Sequence, residues 1–281
     1  MPVVDTSFLN KNEALRENQL SELIKGVKSK EEPLHNLAVV ILAAGLGKRM
    51  KSQDKPKVMF EIHGKSMIDY VVQLAMKVNA GKIVPIVGHF REQVIDYLSL
   101  KFNDPRIIYA VQEEQLGTGH AVLQTEDALK DFVGEVLILS GDVPLLKYET
   151  VQRLIKEHFE NNNTATLLTT FFKDATGYGR IVRNTEGKFE KIIEHKDATE
   201  EQLKINEINP AIYIVNSKIL FDSLKKITPE NNQKEYYLTD IFHFIPKEKI
   251  GTVVTNDELE VTGVNSIEQL KEMEEAIGQY R

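Results

Sequence analysis

The spacing of apolar and polar positions along the first half of the chain predicts alternating strands and helices. Short β-branched runs at 39–42, 82–88, 106–112 and 135–142 alternate with helix-like stretches at 67–78, 91–102 and 119–130. Apolar runs of this length are typical of strands buried on both faces, and a 3.6-residue apolar period is typical of helices. This βαβ rhythm predicts a mostly parallel sheet with right-handed crossovers.

The second half of the chain has a different pattern. Strands are predicted at 165–172, 179–183, 188–196 and 209–216, with no helix between them. Helices are predicted near 217–226 and 235–246, and a last strand at 250–255. We therefore expect an α/β fold with a mixed, mostly parallel central sheet that is flanked by helices and extended by an antiparallel layer.

Residues 1–36 differ from the rest because they are polar, helix-prone and rich in Glu and Lys. Their apolar positions form a narrow stripe of Leu15, Leu20, Leu23 and Ile24. The pattern predicts a helical N-terminal arm followed by one domain over 37–281. A stripe this narrow leaves two roles open, packing on the domain or contact within a homo-oligomer.

Composition excludes several kinds of chemistry. The chain has 281 residues and no cysteine, which excludes disulfides, thiolate zinc sites and cysteine nucleophiles. A net charge of −7 argues against a nucleic-acid partner. Neither a membrane-spanning run nor a signal-peptide layout is present, so we expect a cytoplasmic enzyme with no membrane partner.

A glycine-containing loop follows the first strand. Gly45 and Gly47 let the backbone approach a ligand closely, and the cations Lys48, Arg49 and Lys57 follow them. The spacing fits neither the dinucleotide fingerprint, whose third glycine is a methionine here, nor a P-loop, which needs Ser or Thr after its lysine. The loop therefore indicates a nucleotide phosphate site of another kind. An ordinary turn with surface cations is the alternative.

Other polar residues also stand at predicted strand ends. Asp142 ends one apolar run and Gln112 ends another, while Gly117 and Thr118 open the next helix. Ligands of open parallel sheets bind at the carboxyl ends of the strands, and a carboxylate there suits a hard divalent ion beside phosphates. Helix capping is the alternative for Thr118, and a turn or cap for Asp142.

Eight segments carry a family resemblance in their order and spacing. They are LAAGLGKRM, PKV, QEEQLGTGHAV, SGDVPLL, GYGRIVR, IIEHKDATEEQLKINEIN, EYYLTDI and VTGVNS. Over about 37–270 the chain resembles the uridylyltransferase domain of bacterial N-acetylglucosamine-1-phosphate uridyltransferase. The resemblance implies a Rossmann-like nucleotidyltransferase fold. It also implies an enzyme that makes UDP-N-acetylglucosamine and pyrophosphate from UTP and N-acetylglucosamine 1-phosphate, with Mg²⁺.

The resemblance also implies residue roles. The nucleotide would be held by Leu42, Ala43, Ala44, Gly45, Gln112, Gly117 and Thr118. Arg49 and Lys57 would act on the phosphates, and Asp142 and Asn265 would bind Mg²⁺. The sugar would be held by Gly179, Glu194 and Asn209. No side-chain nucleophile is needed, because the sugar phosphate attacks the α-phosphorus in line and the protein positions groups and neutralises charge.

Some of these residues have simpler explanations when they are taken singly. Glu194 has charged neighbours and suits a solvated strand face. Asn209 precedes Pro210, a pair that favours a turn. Asn265 precedes Ser266 and a final helix, so it is a candidate N-cap. The assignment of these residues depends on the whole pattern.

Departures from the family pattern limit what the resemblance implies. Pro210 and Ala211 replace a Thr-Gly pair after the sugar-binding Asn, which leaves the identity of the sugar open. Ser140 replaces an aromatic residue before Gly-Asp. The chain ends at Arg281 without hexapeptide repeats, so we expect no acetyltransferase activity.

Two other functions stay open. One is nucleotidyl transfer to a different sugar 1-phosphate or from a different nucleotide, since kinship of fold does not fix the substrate. The other is a non-catalytic sugar-nucleotide sensor or scaffold. The presence of Lys57, Asp142 and Asn265 argues against a sensor, because a protein without catalysis would be expected to lose at least one of them.

Overall fold

A computed structural model describes residues 34–45, 47–50 and 54–279. The predicted arm and its apolar stripe lie outside the described residues, apart from the last positions before 37. The first strand begins at Leu34. The division into an arm and one domain therefore stays a prediction.

The strands of the described part are short and lie in two sheets. They are β1 Leu34–Leu42, β2 Glu61–Ile62, β3 Lys65–Ser66, β4 Ala80–Val87, β5 Ala110–Val111, β6 Glu135–Ser140, β7 Ala165–Phe171, β8 Gly179–Arg183, β9 Phe189–Ile193, β10 Glu207–Asn209, β11 Tyr213–Asn216 and β12 Ile250–Val254. The strands β2 and β3 form a separate hairpin, and the others form the central sheet.

The helices flank the central sheet. They are α1 Met67–Lys77, α2 Arg91–Phe102, α3 Thr118–Leu123, α4 Tyr148–Glu160, α5 Glu200–Leu203, α6 Ser217–Leu224, α7 Glu258–Val261 and α8 Ile267–Gln279. Short 3₁₀ turns cover Lys48–Met50, Lys57–Met59, Leu238–Phe244 and Lys247–Lys249. Across the described ranges, every helix falls short of the length and apolarity needed to cross a bilayer.

The order of the central sheet is β5-β4-β1-β6-β11-β7-β10-β8-β9, with β12 paired to β7. The strands β5, β4, β1 and β6 are parallel, and the pairings from β6 through β11 to β9 are antiparallel. The predicted mixed α/β sheet with an added antiparallel layer is thus confirmed.

Both faces of the sheet are buried, which explains the unbroken apolar runs of the parallel strands. In β1, Val39 and Ile41 join the core on one face, while Ala38 and Val40 join the core on the other. A third, smaller cluster includes Met50 and residues of α8, so the C-terminal helix packs on the 3₁₀ turn that follows the glycine loop.

Two features of the second half differ from the sequence prediction. Helix α4 was not predicted, although Val151, Leu154, Ile155 and His158 form a buried face at helical spacing. The predicted strand 209–216 is split into β10 and β11. Proline has no N–H for a sheet, and Ala211 has a left-handed φ of 59° that ends the extended backbone.

Three other elements are shorter than predicted or of a different type. The predicted helix 119–130 stops at Leu123, where the hydroxyl of Thr125 donates to the Val122 carbonyl and competes with the backbone. The predicted helix 235–246 is only a 3₁₀ turn over 238–244, because the N–H and carbonyl of Tyr236 bond to Leu116 and Gly119. The predicted strand 106–112 is regular only at Ala110–Val111.

Gly134, just before β6, allows β1 and β6 to meet. A Cβ atom at this position would lie 2.0 Å from the carbonyl oxygen of Asn36, which is backbone and fixed by the adjacent strand pairing. We expect Gly134→Ala to lower the free energy of unfolding by about 1–3 kcal/mol or more. Urea unfolding followed by circular dichroism measures this. Gly45→Ala is the control, because among the described residues, apart from its chain neighbours, no atom lies within 4 Å of the added methyl group; equal losses in both variants would contradict the steric explanation.

Candidate active site

The parallel strands deliver several predicted residues to one edge of the sheet. Leu42 ends β1, Gln112 directly follows β5, and Asp142 follows β6 after one glycine. The N–H of Gly141 donates to the Leu42 carbonyl at 2.9 Å, and the N–H of Gln112 donates to the Val87 carbonyl at 2.8 Å. The carboxyl ends of adjacent parallel strands therefore form a common edge, which is where open α/β sheets bind ligands.

The loop after β1 lies against Lys57. Gly47 has a φ of +58°, and a Cβ atom there would lie 2.8 Å from the Cβ of Lys57. Both the left-handed backbone and this close approach require glycine. The sequence predicted that this glycine allows a close approach to a ligand. Within the described residues, the group that it approaches closely is the side chain of Lys57.

Three predicted residues converge on a single point. The Nζ of Lys57 lies 2.5 Å from Oδ2 of Asp142 and 3.0 Å from Oδ1 of Asn265. The side chains of Lys57 and Asp142 are only 14% and 16% exposed. An ion pair in such a partly enclosed place is screened less than a surface pair. The structure thus joins three residues that are far apart in the sequence.

Backbone contacts hold Asn265 in this position. The N–H of Val264 donates to the carbonyl oxygen of Asp142 at 2.9 Å, which fastens the segment before α8 to the end of β6. Ser266 takes the capping role that the sequence offered for Asn265, since its Oγ accepts from the N–H of Gln269 at 3.2 Å. The Asn265 side chain is left to face Lys57.

The Asp142 carboxylate is held at both oxygens. Its Oδ1 accepts a hydrogen bond from the Ser140 hydroxyl at 2.7 Å, while Oδ2 faces Lys57. Burial favours a higher pKa for Asp142, but the Lys57 ammonium and these hydrogen bonds outweigh burial and hold the pKa below its usual range. Asp142 is therefore anionic at neutral pH and suited to a cation.

The oxygens of Asp142 and Asn265 are hard donors of the kind that Mg²⁺ prefers. Their convergence on one ammonium group shows that one cation can contact both. The described residues contain no group of three or more His, Cys, Asp or Glu side chains with metal-binding spacing. A divalent ion here would thus have few protein ligands, as is usual for Mg²⁺ bound together with substrate phosphates.

The residues predicted for the nucleotide form a second group. Nε2 of Gln112 donates to the Gly117 carbonyl at 3.1 Å. Thr118 does not cap its own helix, because its Oγ1 accepts from the N–H of Leu238 at 3.1 Å. The N–H of Gly119 donates to the Tyr236 carbonyl at 2.8 Å. The segment around 236–238 therefore supports the start of α3.

The residues predicted for the sugar form a third group. Gly179 pairs with Asn209 across β8 and β10, and a Cβ atom on Gly179 would lie 3.4 Å from Oε2 of Glu194. Oε1 of Glu194 accepts from the Thr239 hydroxyl at 2.9 Å. Glu194 is half-buried and bound to Thr239, which argues against a solvated strand face, and burial raises its pKa.

Asn209 combines the turn that the sequence suggested with a place in this group. Its Oδ1 accepts from the N–H of Ala211 at 3.0 Å and from the Tyr213 hydroxyl at 2.8 Å. The first bond closes the turn at Pro210, and the second fixes the amide orientation. The turn and the predicted binding position are therefore compatible.

Arg49 is exposed, and its charge acts on the hydroxyl of Tyr178. That hydroxyl accepts from the N–H of Gly263 at 3.2 Å, and burial raises its pKa. Tyr178 thus connects the groups around Lys57 and Gly179, a role that the sequence analysis missed. Ser140 and Thr239 were missed as well. Tyr178 and Thr239 lie inside the segments GYGRIVR and EYYLTDI. These segments carry the family resemblance and could have pointed to the two residues, whereas the residue types alone could not.

The chain belongs to the nucleotidyl transferase family. The model of that family, described as "Nucleotidyl transferase", matches residues 38–258. The matched range contains the loop after β1, Lys57, Asp142 and the three residues predicted for the sugar, and it ends before Asn265.

Two curated relatives are similar to most of this chain. "Bifunctional protein GlmU" of Clostridium beijerinckii is 48% identical over 240 residues, which are 85% of this chain and 51% of the relative. The protein of that name from Clostridium botulinum is 44% identical over 243 residues, which are 86% of this chain and 52% of the relative. The chain spans about half the length of the curated relatives it matches.

A solved structure of UDP-glucose pyrophosphorylase complexed with UDP-glucose has the same fold. Its TM-score with this chain is 0.71 at 19% sequence identity, over 87% of this chain and 99% of that protein. At this identity the likeness concerns the fold alone. The Rossmann-like nucleotidyltransferase fold that the sequence predicted is thereby confirmed.

Glu194 predicts a dependence of stability on pH. Burial raises its pKa in the folded protein above the usual 4.5, and nearby carboxylates add to the effect. The folded state then holds the proton more tightly than the unfolded state, so stability falls as the pH rises from about 4.5 through the raised pKa. We expect Glu194→Gln to gain stability relative to the wild type between pH 4 and pH 8.

Thermal unfolding across that pH range measures the difference. Glu190→Gln, which changes an exposed carboxylate of β9, the strand that ends just before Glu194, is the control. A stability difference between Glu194→Gln and the wild type that does not change with pH would contradict the buried-carboxylate explanation.

Proposed function

We propose that this domain transfers UMP from UTP to N-acetylglucosamine 1-phosphate and releases pyrophosphate. The observation that carries the proposal is the convergence of Lys57, Asp142 and Asn265 beside the glycine loop. The names and high identity of the curated relatives support it for the half of their length that this chain spans. The reaction is assigned to the cytoplasm, as the composition predicted.

In this proposal the protein positions the reactants and neutralises charge. The backbone from Leu42 to Gly45 and the start of α3 hold the nucleotide, and Gln112 reads its base. Lys57 faces the α-phosphate, and Arg49, exposed at the loop, faces the departing phosphates. A phosphate oxygen of the sugar attacks the α-phosphorus in line. Cations fixed in advance at the developing charge contribute most of the acceleration in such transfers.

Mg²⁺ is the proposed metal, and Asp142 and Asn265 would hold it. When it is bound, the ion supplies charge neutralisation at the phosphates. Ser140 keeps the Asp142 carboxylate oriented, since it binds the oxygen that Lys57 leaves free. The anionic state of Asp142, maintained by its neighbours, makes the carboxylate available to a cation throughout the neutral pH range.

The sugar is proposed to lie against Gly179, Glu194 and Asn209. The absence of a side chain at Gly179 leaves space beside Glu194, because an added methyl group would approach that carboxylate. Glu194 and Asn209 supply an acceptor and a donor for hydroxyl and acetamido groups. Pro210 and Ala211, which depart from the family pattern, make a different sugar 1-phosphate the second candidate substrate.

A pyrophosphate-release screen tests the proposal. Four nucleoside triphosphates are crossed with several sugar 1-phosphates in the presence of Mg²⁺. The expected result is the highest kcat/KM with UTP and N-acetylglucosamine 1-phosphate. Turnover with a different sugar would replace the proposed substrate and keep the enzyme class. Lack of turnover in every combination would contradict catalysis and favour a sugar-nucleotide sensor.

Variants of the two charged residues of the site are expected to be slow in the chemical step. Asp142→Asn and Lys57→Met should each lower kcat by about 10²–10³-fold or more, because each removes a fixed charge near the reacting phosphate. Steady-state kinetics and circular dichroism measure activity and folding. Lys55→Met is the control for Lys57→Met, since Lys55 pairs with Glu61 at 3.7 Å on the surface.

The separation of kcat from KM decides the role of Lys57. If Lys57→Met raised KM for UTP and left kcat unchanged, the lysine would serve binding alone and its role in the transition state would be wrong. Unchanged turnover in Asp142→Asn would contradict the proposed role of Asp142 as a metal ligand.

A further inference from the structure

The side-chain amide of Gln112 is fixed in a single orientation. The side chain is buried, with 4% of the residue exposed. Its Nε2 lies 3.1 Å from the Gly117 carbonyl oxygen and 3.1 Å from Nδ1 of His120. A carbonyl oxygen only accepts, so the amide must turn its nitrogen to this side. The two N–H bonds of Gln112 are thereby both used within the protein.

The orientation of Gln112 requires one tautomer of His120. Because Gln112 donates to Nδ1, that nitrogen carries the lone pair, and the ring proton of the neutral imidazole is on Nε2. The amide nitrogen of Gln124 donates to the His120 carbonyl at 3.0 Å. It also lies 3.2 Å from Nε2 of the ring, but this contact is not a hydrogen bond when Nε2 carries the proton, because both nitrogens are then donors. Gln124 therefore does not compete with Gln112 for Nδ1.

This arrangement leaves Oε1 of Gln112 as the group that faces a ligand. Among the described residues, none donates a hydrogen bond to Oε1. The enclosed side-chain atoms that lack a partner in the described part of the chain belong to other residues, so Oε1 is not sealed there without a partner. Gln112 thus presents an acceptor and no donor to the candidate nucleotide site.

We propose that His120 is a positioning residue that makes the site select uracil over cytosine, by holding Gln112 as an acceptor. The inference rests on the proposed function, in which Gln112 reads the base. Uracil has a ring N–H between two carbonyls, whereas cytosine has a bare ring nitrogen and an amino group. An acceptor between donors complements the uracil edge.

Backbone donors are available for the two uracil carbonyls. In the described part of the chain, the N–H groups of Ala44 and Gly45 on the loop, and of Gly117 and Thr118 at the start of α3, have no hydrogen-bond acceptor. Without His120 only the Gly117 carbonyl would oppose a rotated amide, so the rotated orientation would cost less than it does against two acceptors. A rotated Gln112 offers N–H groups instead, which suits the bare ring nitrogen of cytosine. Uracil and thymine present the same edge, so this device does not separate them.

The experiment compares kcat/KM for UTP and CTP in the wild type, His120→Leu, His120→Asn and Gln124→Leu, with the same sugar 1-phosphate. We expect the UTP:CTP ratio to fall by about tenfold or more in His120→Leu, since a wrongly paired polar group is the main source of such discrimination. His120→Asn should keep the ratio within about threefold, because its Oδ1 takes the place of Nδ1. Gln124→Leu should leave the ratio unchanged.

The outcomes separate this inference from the proposed function. Wild-type turnover with UTP and an unchanged ratio in folded His120→Leu would overturn the role of His120 and leave the proposed function intact. An equal loss with both nucleotides would also overturn it, since a purely structural residue acts that way. If His120→Leu does not fold by circular dichroism, His120→Ala makes the same comparison without added volume. Lack of turnover in the wild type would contradict the proposed function itself.

Discussion

The site depends on the contact of one ammonium group with two oxygen ligands. Lys57 joins Asp142, which is 85 positions away, and Asn265, which is 208 positions away. Burying the Asp142 carboxylate without a cation would cost several kcal/mol, so the charge must be compensated wherever the chain folds in this way. The glycine that touches Lys57 and the backbone bond from Val264 to Asp142 bring these three segments to the same place. The geometry of the phosphate region is therefore also a condition of the fold.

A single segment connects the residues predicted for the nucleotide with those predicted for the sugar. Tyr236 and Leu238 bond to the start of α3, and Thr239 bonds to Glu194. Because its polar groups are used on both sides, this segment cannot form the helix that its residues favour. The hydrogen bonds of this segment thus link the parallel half of the sheet to its antiparallel extension.

Much of the fold could be predicted from the sequence, because strands buried on both faces leave unbroken apolar runs, as in β1 and β6. Helix α4 was missed, although its apolar face has a clear period. The break between β10 and β11 depends on the φ of Ala211, and the 3₁₀ turn at 238–244 depends on distant partners, so local propensity could not give either. In the candidate site, the resemblance supplied the motif residues, and their roles stay predictions. Tyr178, Thr239 and His120 contact neighbours that only the tertiary structure supplies.

Asn209 is a buried amide whose oxygen already accepts two hydrogen bonds, from Ala211 and Tyr213. Both lone pairs of that oxygen are used, so the Asn209 side chain can offer a ligand only the donors of its NH₂ group. A ligand that binds to this group must therefore supply the hydrogen-bond acceptor. An aspartate at this position would accept from the same two donors but would have no N–H group for a ligand, so it could not replace the amide. The turn of the chain therefore makes this side chain a hydrogen-bond donor only.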